Sequence, residues 1–295
     1  MKRILFFIIT LIAINQAHAQ MASSRLLNIE PSSKRITLPG NLTLNYYEKG
    51  SKLGVPVILL HGYTDSYHTY DSLLPFLNDK GHFYAVTLRG FGDSDKPEGV
   101  YSPTILASDI NNFMQKLNIE SAILIGHSMG AAVAQRFALD YPGKTKALVL
   151  ISTISDFRTN PLVQELSESI NAMKATDYEF ARAFQRSSIE KMIDSSYFNL
   201  LVGESMKVPL HVWKSTITAL KNIDYSNELG AIKAPVLILY GEKDPLCPRN
   251  GQIAMQKKLK QSRLIGYRDI GHTPHWEIPE KTATDINFFL ENLVR

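Results

Sequence analysis

Continuous apolar runs recur along the chain at 55–60, 83–88, 121–125, 146–151, 235–240 and, more weakly, 263–270. Most of these runs end beside a glycine. Strands whose two faces are both apolar are typical of a parallel sheet that helices cover. Near the amino end, a Pro-Gly-Asn turn inside 36–48 predicts an antiparallel strand pair at one edge of that sheet.

Helical patterns lie between and after these runs, at 67–80, 104–117, 129–140, 249–259 and 281–294. Pro103, which follows Ser102, and Pro279 stand where the first turn of a helix accepts proline. Alternating strands and helices predict an α/β fold with an open, mostly parallel sheet, flanking helices and right-handed crossovers.

The alternation stops at Asp156, and no strand pattern returns before Glu228. Helical patterns fill this stretch at 161–173, 177–188, 189–206 and 209–222. We interpret 156–228 as a helical cap inserted into a core formed by 20–155 and 229–295. A cap over the carboxyl ends of the strands encloses a pocket, so some of its apolar residues are expected to line one.

The amino terminus has the pattern of a secretory signal peptide. Lys2 and Arg3 precede an apolar run over 4–14, and Ala17-His18-Ala19 supplies a small-x-small cleavage pattern. This predicts a signal peptide over 1–19, cleaved after Ala19, and a periplasmic or secreted bacterial protein with no stable membrane insertion after cleavage. The rival interpretation is an uncleaved amino-terminal anchor, although the run is about half as long as a membrane-spanning helix requires.

Composition excludes several classes of protein. The 295 residues are 44% hydrophobic and 20% charged, with a net charge of +4 and no long block of like charge, so disorder and nucleic-acid binding are not indicated. Cys247 is the only cysteine, which excludes an internal disulfide and a four-cysteine zinc site. The chain has no glycine-rich nucleotide motif, and we expect neither a cofactor nor a metal. The sequence does not indicate the oligomeric state.

The strongest chemical motif is Gly126-His127-Ser128-Met129-Gly130, which follows an apolar run and precedes a helix rich in alanine. Gly-x-Ser-x-Gly between a strand and a helix is typical of the nucleophile elbow, in which the serine occupies a strained turn. Bulky neighbours would clash with the flanking strand and helix, and the helix N-terminus favours a developing negative charge. Ser128 is therefore the candidate nucleophile.

With this motif the chain resembles the α/β-hydrolase superfamily. Further matching residues are His61-Gly62-Tyr63, the segment 89–95, the segment 241–245 and Gly271-His272, in the superfamily's order of serine, acid and histidine. The resemblance covers essentially the whole mature chain. It is closest to single-domain esterases and cofactor-free haloperoxidase-like hydrolases with a helical cap, and it implies the α/β-hydrolase fold.

Serine attacks only with a base beside it, and the base needs an acid that orients it. His272, directly after a glycine at the end of the last apolar run, is the candidate base, and His275 is the rival. The resemblance places the acid at Asp244, with Asp156 as the alternative. It also implies that the backbone N–H groups of Tyr63 and Met129 form the oxyanion hole. The remaining histidines, including His61, are expected to be structural or exposed.

These residues predict a serine hydrolase that cleaves a small ester, lactone or thioester through an acyl-enzyme. Perhydrolysis of the haloperoxidase type, carbon–carbon bond cleavage and amide cleavage fit the same residues, and a ligand-sensing protein with little turnover is the alternative from another class. Serine rather than aspartate at the elbow disfavours haloalkane dehalogenase and epoxide hydrolase chemistry. Charges throughout the cap favour a small soluble substrate over a lipid surface.

Overall fold

A computed structural model of the protein describes residues 33–293. The predicted signal peptide lies outside these residues and stays a prediction. An eight-stranded sheet forms the centre of the fold, in the order β1-β2-β4-β3-β5-β6-β7-β8. Its strands are β1 (Lys34–Leu38), β2 (Leu42–Gly50), β3 (Val55–Leu60), β4 (Gly81–Val86), β5 (Ala122–His127), β6 (Thr145–Ile151), β7 (Val236–Gly241) and β8 (Ser262–Tyr267).

The pairing of the strands follows the sequence pattern. β1 pairs antiparallel with β2, which pairs antiparallel with β4, and every pair from β4 to β8 is parallel. The predicted α/β class, the parallel sheet and the antiparallel pair at one edge are thereby confirmed.

Nine α-helices accompany the sheet within residues 33–293. They are α1 (Pro103–Lys116), α2 (Met129–Asp140), α3 (Pro161–Ala172), α4 (Tyr178–Ser187), α5 (Ser195–Met206), α6 (Leu210–Leu220), α7 (Arg249–Lys258), α8 (Pro274–Glu277) and α9 (Pro279–Asn292). In this described part of the chain, none of them combines the length and apolar character that a bilayer-spanning helix needs.

Alternate residues of the strands enter two separate cores. Ile58 and Leu60 of β3 point into the core that contains α1 and α2, whereas Val57 and Leu59 point into the core that contains Ile286 of α9. Burial on both faces explains why these strands are continuous apolar runs rather than alternating ones.

Helices α3 to α6 lie between β6 and β7, where the cap is predicted, and no strand occurs among them. Val163, Ile170 and Trp213 of these helices belong to the same apolar cluster as one face of the sheet. The division of the chain at 156 and 228 stays a prediction.

Two helix predictions are wrong in the structure. The predicted helix at 67–80 is two short 3₁₀ turns, Tyr67–Tyr70 and Leu74–Phe76. Pro75 lacks an N–H for an α-helical hydrogen bond and disfavours the helical conformation of the residue before it. The predicted helix at 189–206 begins only at Ser195, because the Asp194 carboxylate caps it by accepting from the N–H groups of Ser196 and Tyr197.

Candidate active site

Ser128 lies in a sharp turn between β5, which ends at His127, and α2, which begins at Met129. Its backbone has φ +50° and ψ −113°, a conformation that residues with a side chain rarely adopt. The Ser128 N–H donates to Ile151 O at 2.9 Å, which ties the turn to the end of β6. Strain of this kind concentrates at functional sites, where the surrounding structure enforces it.

The two glycines of the motif allow close packing around this turn. A Cβ on Gly126 would lie 2.5 Å from the backbone of Ala131, and a Cβ on Gly130 would lie 2.0 Å from Leu60 O. Contacts this short with backbone atoms leave room only for glycine. The Gly-x-Ser-x-Gly spacing thus lets β3, β5 and α2 approach one another closely enough to hold the Ser128 turn.

Asp244 and His272 form a buried pair at the carboxyl ends of β7 and β8. His272 Nδ1 lies 2.7 Å from Asp244 Oδ2, and the two side chains are 5% and 0% exposed. Asp244 Oδ1 accepts from the N–H groups of Leu246 and Cys247 at 2.9 and 3.0 Å. Both oxygens of the carboxylate are therefore hydrogen-bonded. Because an ionised carboxylate can only accept hydrogen bonds, the imidazole must carry its proton on Nδ1, facing Asp244.

Several groups fix the loop that carries His272. The His272 N–H donates to Ser188 O at 2.9 Å, and its carbonyl accepts from His127 Nε2 at 3.0 Å. One residue earlier, the Gly271 N–H donates to the Glu277 carboxylate at 3.0 Å. The loop is thus attached both to the strand that precedes Ser128 and to the segment after α4.

Ser128 and His272 line the same cavity, which we call the Ser128 cavity. It holds about 50 Å³, room for a few water molecules or a short acyl group. Within residues 33–293 no hydrogen bond joins Ser128 Oγ to His272, and in ligand-free enzymes such catalytic contacts are often longer than in the reacting complex. Apolar side chains dominate the lining, among them Met129, Phe157, Val163, Leu166, Ile217 and Leu220.

The backbone N–H groups of Tyr63 and Met129 are free to act as donors. Neither is hydrogen-bonded to another group in the part of the chain that the structure describes, and both residues line the Ser128 cavity. The Tyr63 hydroxyl donates to Trp213 O at 2.7 Å, which anchors that side chain to α6. Unpaired backbone donors beside a nucleophile are what a tetrahedral oxyanion requires.

The alternative residues lie elsewhere. His275 is buried with its Nε2 at 3.2 Å from Thr69 Oγ1, and it is not among the residues of the Ser128 cavity. The Asp156 carboxylate pairs with Arg158 rather than with a histidine. His61 is fully buried, and its Nε2 accepts from the Leu88 N–H at 3.0 Å, a contact that connects two loops.

Cys247 is buried beside Asp244. Asp244, Cys247 and His272 have ligand-type atoms within 4.8 Å of one another, and no other group of three such residues occurs within residues 33–293. Burial raises the pKa of the Cys247 thiol, which disfavours the thiolate that a metal would need. The hydrogen bonds that Asp244 makes with His272 and with the Cys247 N–H explain why these three residues lie close together.

Comparison with known proteins shows the family of this chain. A family model described as serine aminopeptidase, S33, matches residues 54–279. The chain belongs to the α/β-hydrolase superfamily. It is 30% identical over 241 residues to the AB hydrolase superfamily protein YisY of Bacillus subtilis, covering 77% of this chain and 88% of that protein.

Two further members extend the similarity. Lipase 1 of Psychrobacter immobilis is 23% identical over 272 residues, which cover 87% of this chain and 83% of the lipase. The solved structure of an esterase from Exiguobacterium antarcticum superposes with a TM-score of 0.79 at 24% identity, covering 88% of this chain and 99% of that one. The resemblance to α/β-hydrolases inferred from the motifs is confirmed.

Asp65 and Gln185 are polar residues of the Ser128 cavity in this α/β-hydrolase that sequence reasoning missed. Asp65 Oδ1 accepts from Gln185 Nε2 at 2.7 Å, and both residues are 2% exposed. Asp65 lies two residues after Tyr63, so its position in the loop after β3 is a signal that could have found it. Gln185 belongs to α4, 120 positions away in sequence, and no local pattern distinguishes it.

Proposed function

We propose that the protein is a serine hydrolase that cleaves a small ester, lactone or thioester through an acyl-enzyme. Ser128 is the nucleophile, His272 the base and Asp244 the acid in this proposal. The observation that carries it is the buried Asp244–His272 pair, 2.7 Å apart, beside the cavity into which the strained Ser128 turn opens.

The proposed steps are those of acyl transfer through a serine. His272 Nε2 accepts the Ser128 proton as Oγ bonds to the substrate carbonyl carbon, and the charge that develops on the carbonyl oxygen is stabilised by the Tyr63 and Met129 N–H groups. The protonated imidazole then donates its proton to the leaving group. Water, activated by the same base, attacks the acyl-enzyme and releases the acid. Asp244 stabilises the imidazolium through its contact with Nδ1.

The cavity supports a short substrate. Its volume of about 50 Å³ and its largely apolar lining suit a small acyl group with few polar contacts. The lipase and esterase relatives support ester bonds as the bonds cleaved, with the size of the acyl group set by this chain's own cavity. We also propose that the protein acts after export, on the basis of the pattern at 1–19.

An ester panel tests this function. Purified protein is assayed with 4-nitrophenyl esters of increasing acyl length, beside Ser128→Ala and Ser187→Ala, an exposed serine of α4 that serves as the matched control. We expect kcat/KM to be highest for the shortest acyl groups. We also expect kcat to fall by a factor on the order of 10⁴ or more in Ser128→Ala, because the covalent route is lost.

Two results would contradict the proposal. Wild-type turnover that persists in Ser128→Ala would remove Ser128 as the nucleophile. A kcat/KM that rises steadily to the longest acyl chains would contradict the small substrate.

A further inference from the structure

A second polar cluster lies inside the otherwise apolar Ser128 cavity. Asp65 occupies the loop after β3, two residues beyond the proposed oxyanion donor Tyr63, and it is 2% exposed. The carboxyl group of Asp65 has no role in the proposed mechanism. A buried carboxyl group is costly unless it is hydrogen-bonded, so its presence in an apolar cavity points to a partner that it binds there.

The contacts of Asp65 leave it short of donors. Oδ1 accepts from Gln185 Nε2 at 2.7 Å, and among residues 33–293 Oδ2 accepts only from the Thr69 hydroxyl, at 3.4 Å. No lysine or arginine pairs with it in the part of the chain that the structure describes. Burial raises the pKa of Asp65 to about 7, which reflects the same deficit of stabilising partners.

A second buried acceptor lies next to it. His127 Nε2 donates to His272 O at 3.0 Å, so the other nitrogen of the neutral ring, Nδ1, carries a lone pair. Nδ1 is buried without a hydrogen-bond partner among residues 33–293, and His127 lines the Ser128 cavity. Buried polar atoms almost always have a partner, and an exception in a cavity points to a missing ligand or water.

The two acceptors converge on one place. A Cβ built on Gly62 would lie 2.6 Å from His127 Nδ1 and 3.0 Å from Asp65 Oδ2, so both atoms adjoin the same face of this glycine. Gly62 directly precedes Tyr63. Asp65 and His127 also line the Ser128 cavity. A substrate group that reaches them from the cavity is therefore close to the carbonyl that Ser128 attacks, and it satisfies them only if it carries hydrogen-bond donors.

We propose that Asp65, supported by Gln185 and His127, binds a hydrogen-bond donor, a hydroxyl or an amino group, on the acyl part of the substrate close to the scissile carbonyl. This inference rests on the proposed function and specifies its substrate class: a short hydroxyacyl or aminoacyl ester is preferred over an unsubstituted acyl ester of the same length. The site rejects an unsubstituted acyl group because its buried acceptors are then left unpaired.

The test compares 4-nitrophenyl butanoate with its 3-hydroxy and 3-amino derivatives. We expect the wild type to favour one of the substituted esters by about tenfold or more in kcat/KM. A higher value for the hydroxy ester indicates a neutral donor, and a higher value for the amino ester indicates pairing of an ammonium group with the carboxylate. Equal values for all three esters in the wild type would overturn the proposal.

Asp65→Asn is the informative variant. The side-chain oxygen of the new asparagine still accepts from Gln185 Nε2, whereas its NH₂ group replaces the carboxylate oxygen that would accept from the substrate. We expect the ratio of kcat/KM for the substituted ester to kcat/KM for the unsubstituted ester to fall about tenfold, because the substituted ester loses its acceptor and the unsubstituted ester no longer leaves a carboxylate oxygen unpaired. Asp71→Asn is the matched control, since this carboxylate bonds to His68 and is not part of the Ser128 cavity. A parallel loss on all three esters in Asp65→Asn would contradict the assignment.

Labelling by a fluorophosphonate distinguishes failure of the proposed recognition site from failure of the proposed hydrolase function. A labelled wild type with no preference among the esters refutes the recognition site and leaves the hydrolase proposal intact, whereas an unlabelled, folded wild type refutes the hydrolase proposal itself. If Asp65→Asn does not fold, Gln185→Leu replaces it, and an unaltered preference in that variant contradicts the role of the pair.

Discussion

Three histidines besides His272 are buried around the site, and their burial sets how the protein responds to acid. Burial lowers the pKa of His61 to about 4 and that of His275 to about 3, and it holds the pKa of His127 well below 6.5. The proximity of the rings contributes, since the His127 and His275 centroids are 4.4 Å apart and a charge on one disfavours a charge on the other.

Acid should therefore destabilise the fold at pH values well above the pH range in which most carboxylates titrate. Below pH 6.5 the unfolded chain takes up protons on these three histidines and the folded chain does not, so the free energy of unfolding falls as pH falls. Asp65 has the opposite effect on the free energy of unfolding. Its pKa of about 7 in the folded state exceeds its ordinary 3.8, so on acidification the folded chain binds this proton before the unfolded chain does.

These four groups by themselves give an uptake of about two protons on unfolding near pH 5, which corresponds to a fall of about 3 kcal/mol per pH unit. Four further groups have a raised pKa in the folded protein and make the slope smaller, namely His68, Asp71, Asp109 and Glu277. Urea unfolding curves recorded at half-unit intervals between pH 7 and pH 5 measure this slope. A free energy of unfolding that stays constant or increases toward pH 5 would show that these histidines are not neutral in the folded state.

At the scale of elements, the turn that carries Ser128 depends on how closely β3, β5 and α2 pack. The sequence predicts this turn well, because glycines on both sides of a serine, between an apolar run and an alanine-rich helix, are typical of a nucleophile elbow. The segment 67–80 is predicted poorly, since its apolar spacing suits a helix while Pro75 and the local caps divide it into two 3₁₀ turns. The spacing of apolar residues indicates which residues are buried, but it is less informative about the backbone conformation of the segment that carries them.

Gly130→Ala tests the packing of this turn. Its Cβ would lie 2.0 Å from Leu60 O, so α2 and β3 must move apart, and we expect a loss of about 2 kcal/mol or more in the free energy of unfolding together with most of the esterase activity. Gly203→Ala is the matched control, because it lies exposed in α5 with nothing within 4 Å and should stabilise the protein by about 0.5–1 kcal/mol.

The Gly130 prediction is checked by urea unfolding of both variants and the wild type under one condition. A Gly130→Ala protein as stable and as active as the wild type would mean that β3 and α2 are not constrained by this contact, and the strained turn at Ser128 would need another cause.

At the scale of the whole molecule, the helices between β6 and β7 take part in the site as well as covering it. Ser188 O accepts from the His272 N–H, Gln185 donates to Asp65, and Trp213 O accepts from the Tyr63 hydroxyl. Each of these contacts joins the predicted cap to a loop at the carboxyl end of a strand. A change in the position of these helices therefore alters the proposed base, the proposed cavity acceptor and the proposed oxyanion loop together.

Long-range packing is also the part of the site that the sequence could not predict. Ser128, Asp244 and His272 follow strand-like runs, and the carboxyl ends of parallel strands meet at one edge, so their convergence is predictable. The contacts of Asp65 with Gln185 and of His272 with Ser188 join residues far apart in sequence and depend on the packing of whole helices. No local pattern indicates such contacts.

The most direct test of the account is intact-mass spectrometry after treatment of the folded protein with a fluorophosphonate. We expect one phosphonyl adduct per chain on the wild type, located at Ser128 by peptide mapping, and none on Ser128→Ala. A folded wild type that gains no adduct, or a Ser128→Ala protein that gains the same adduct, would contradict Ser128 as the nucleophile.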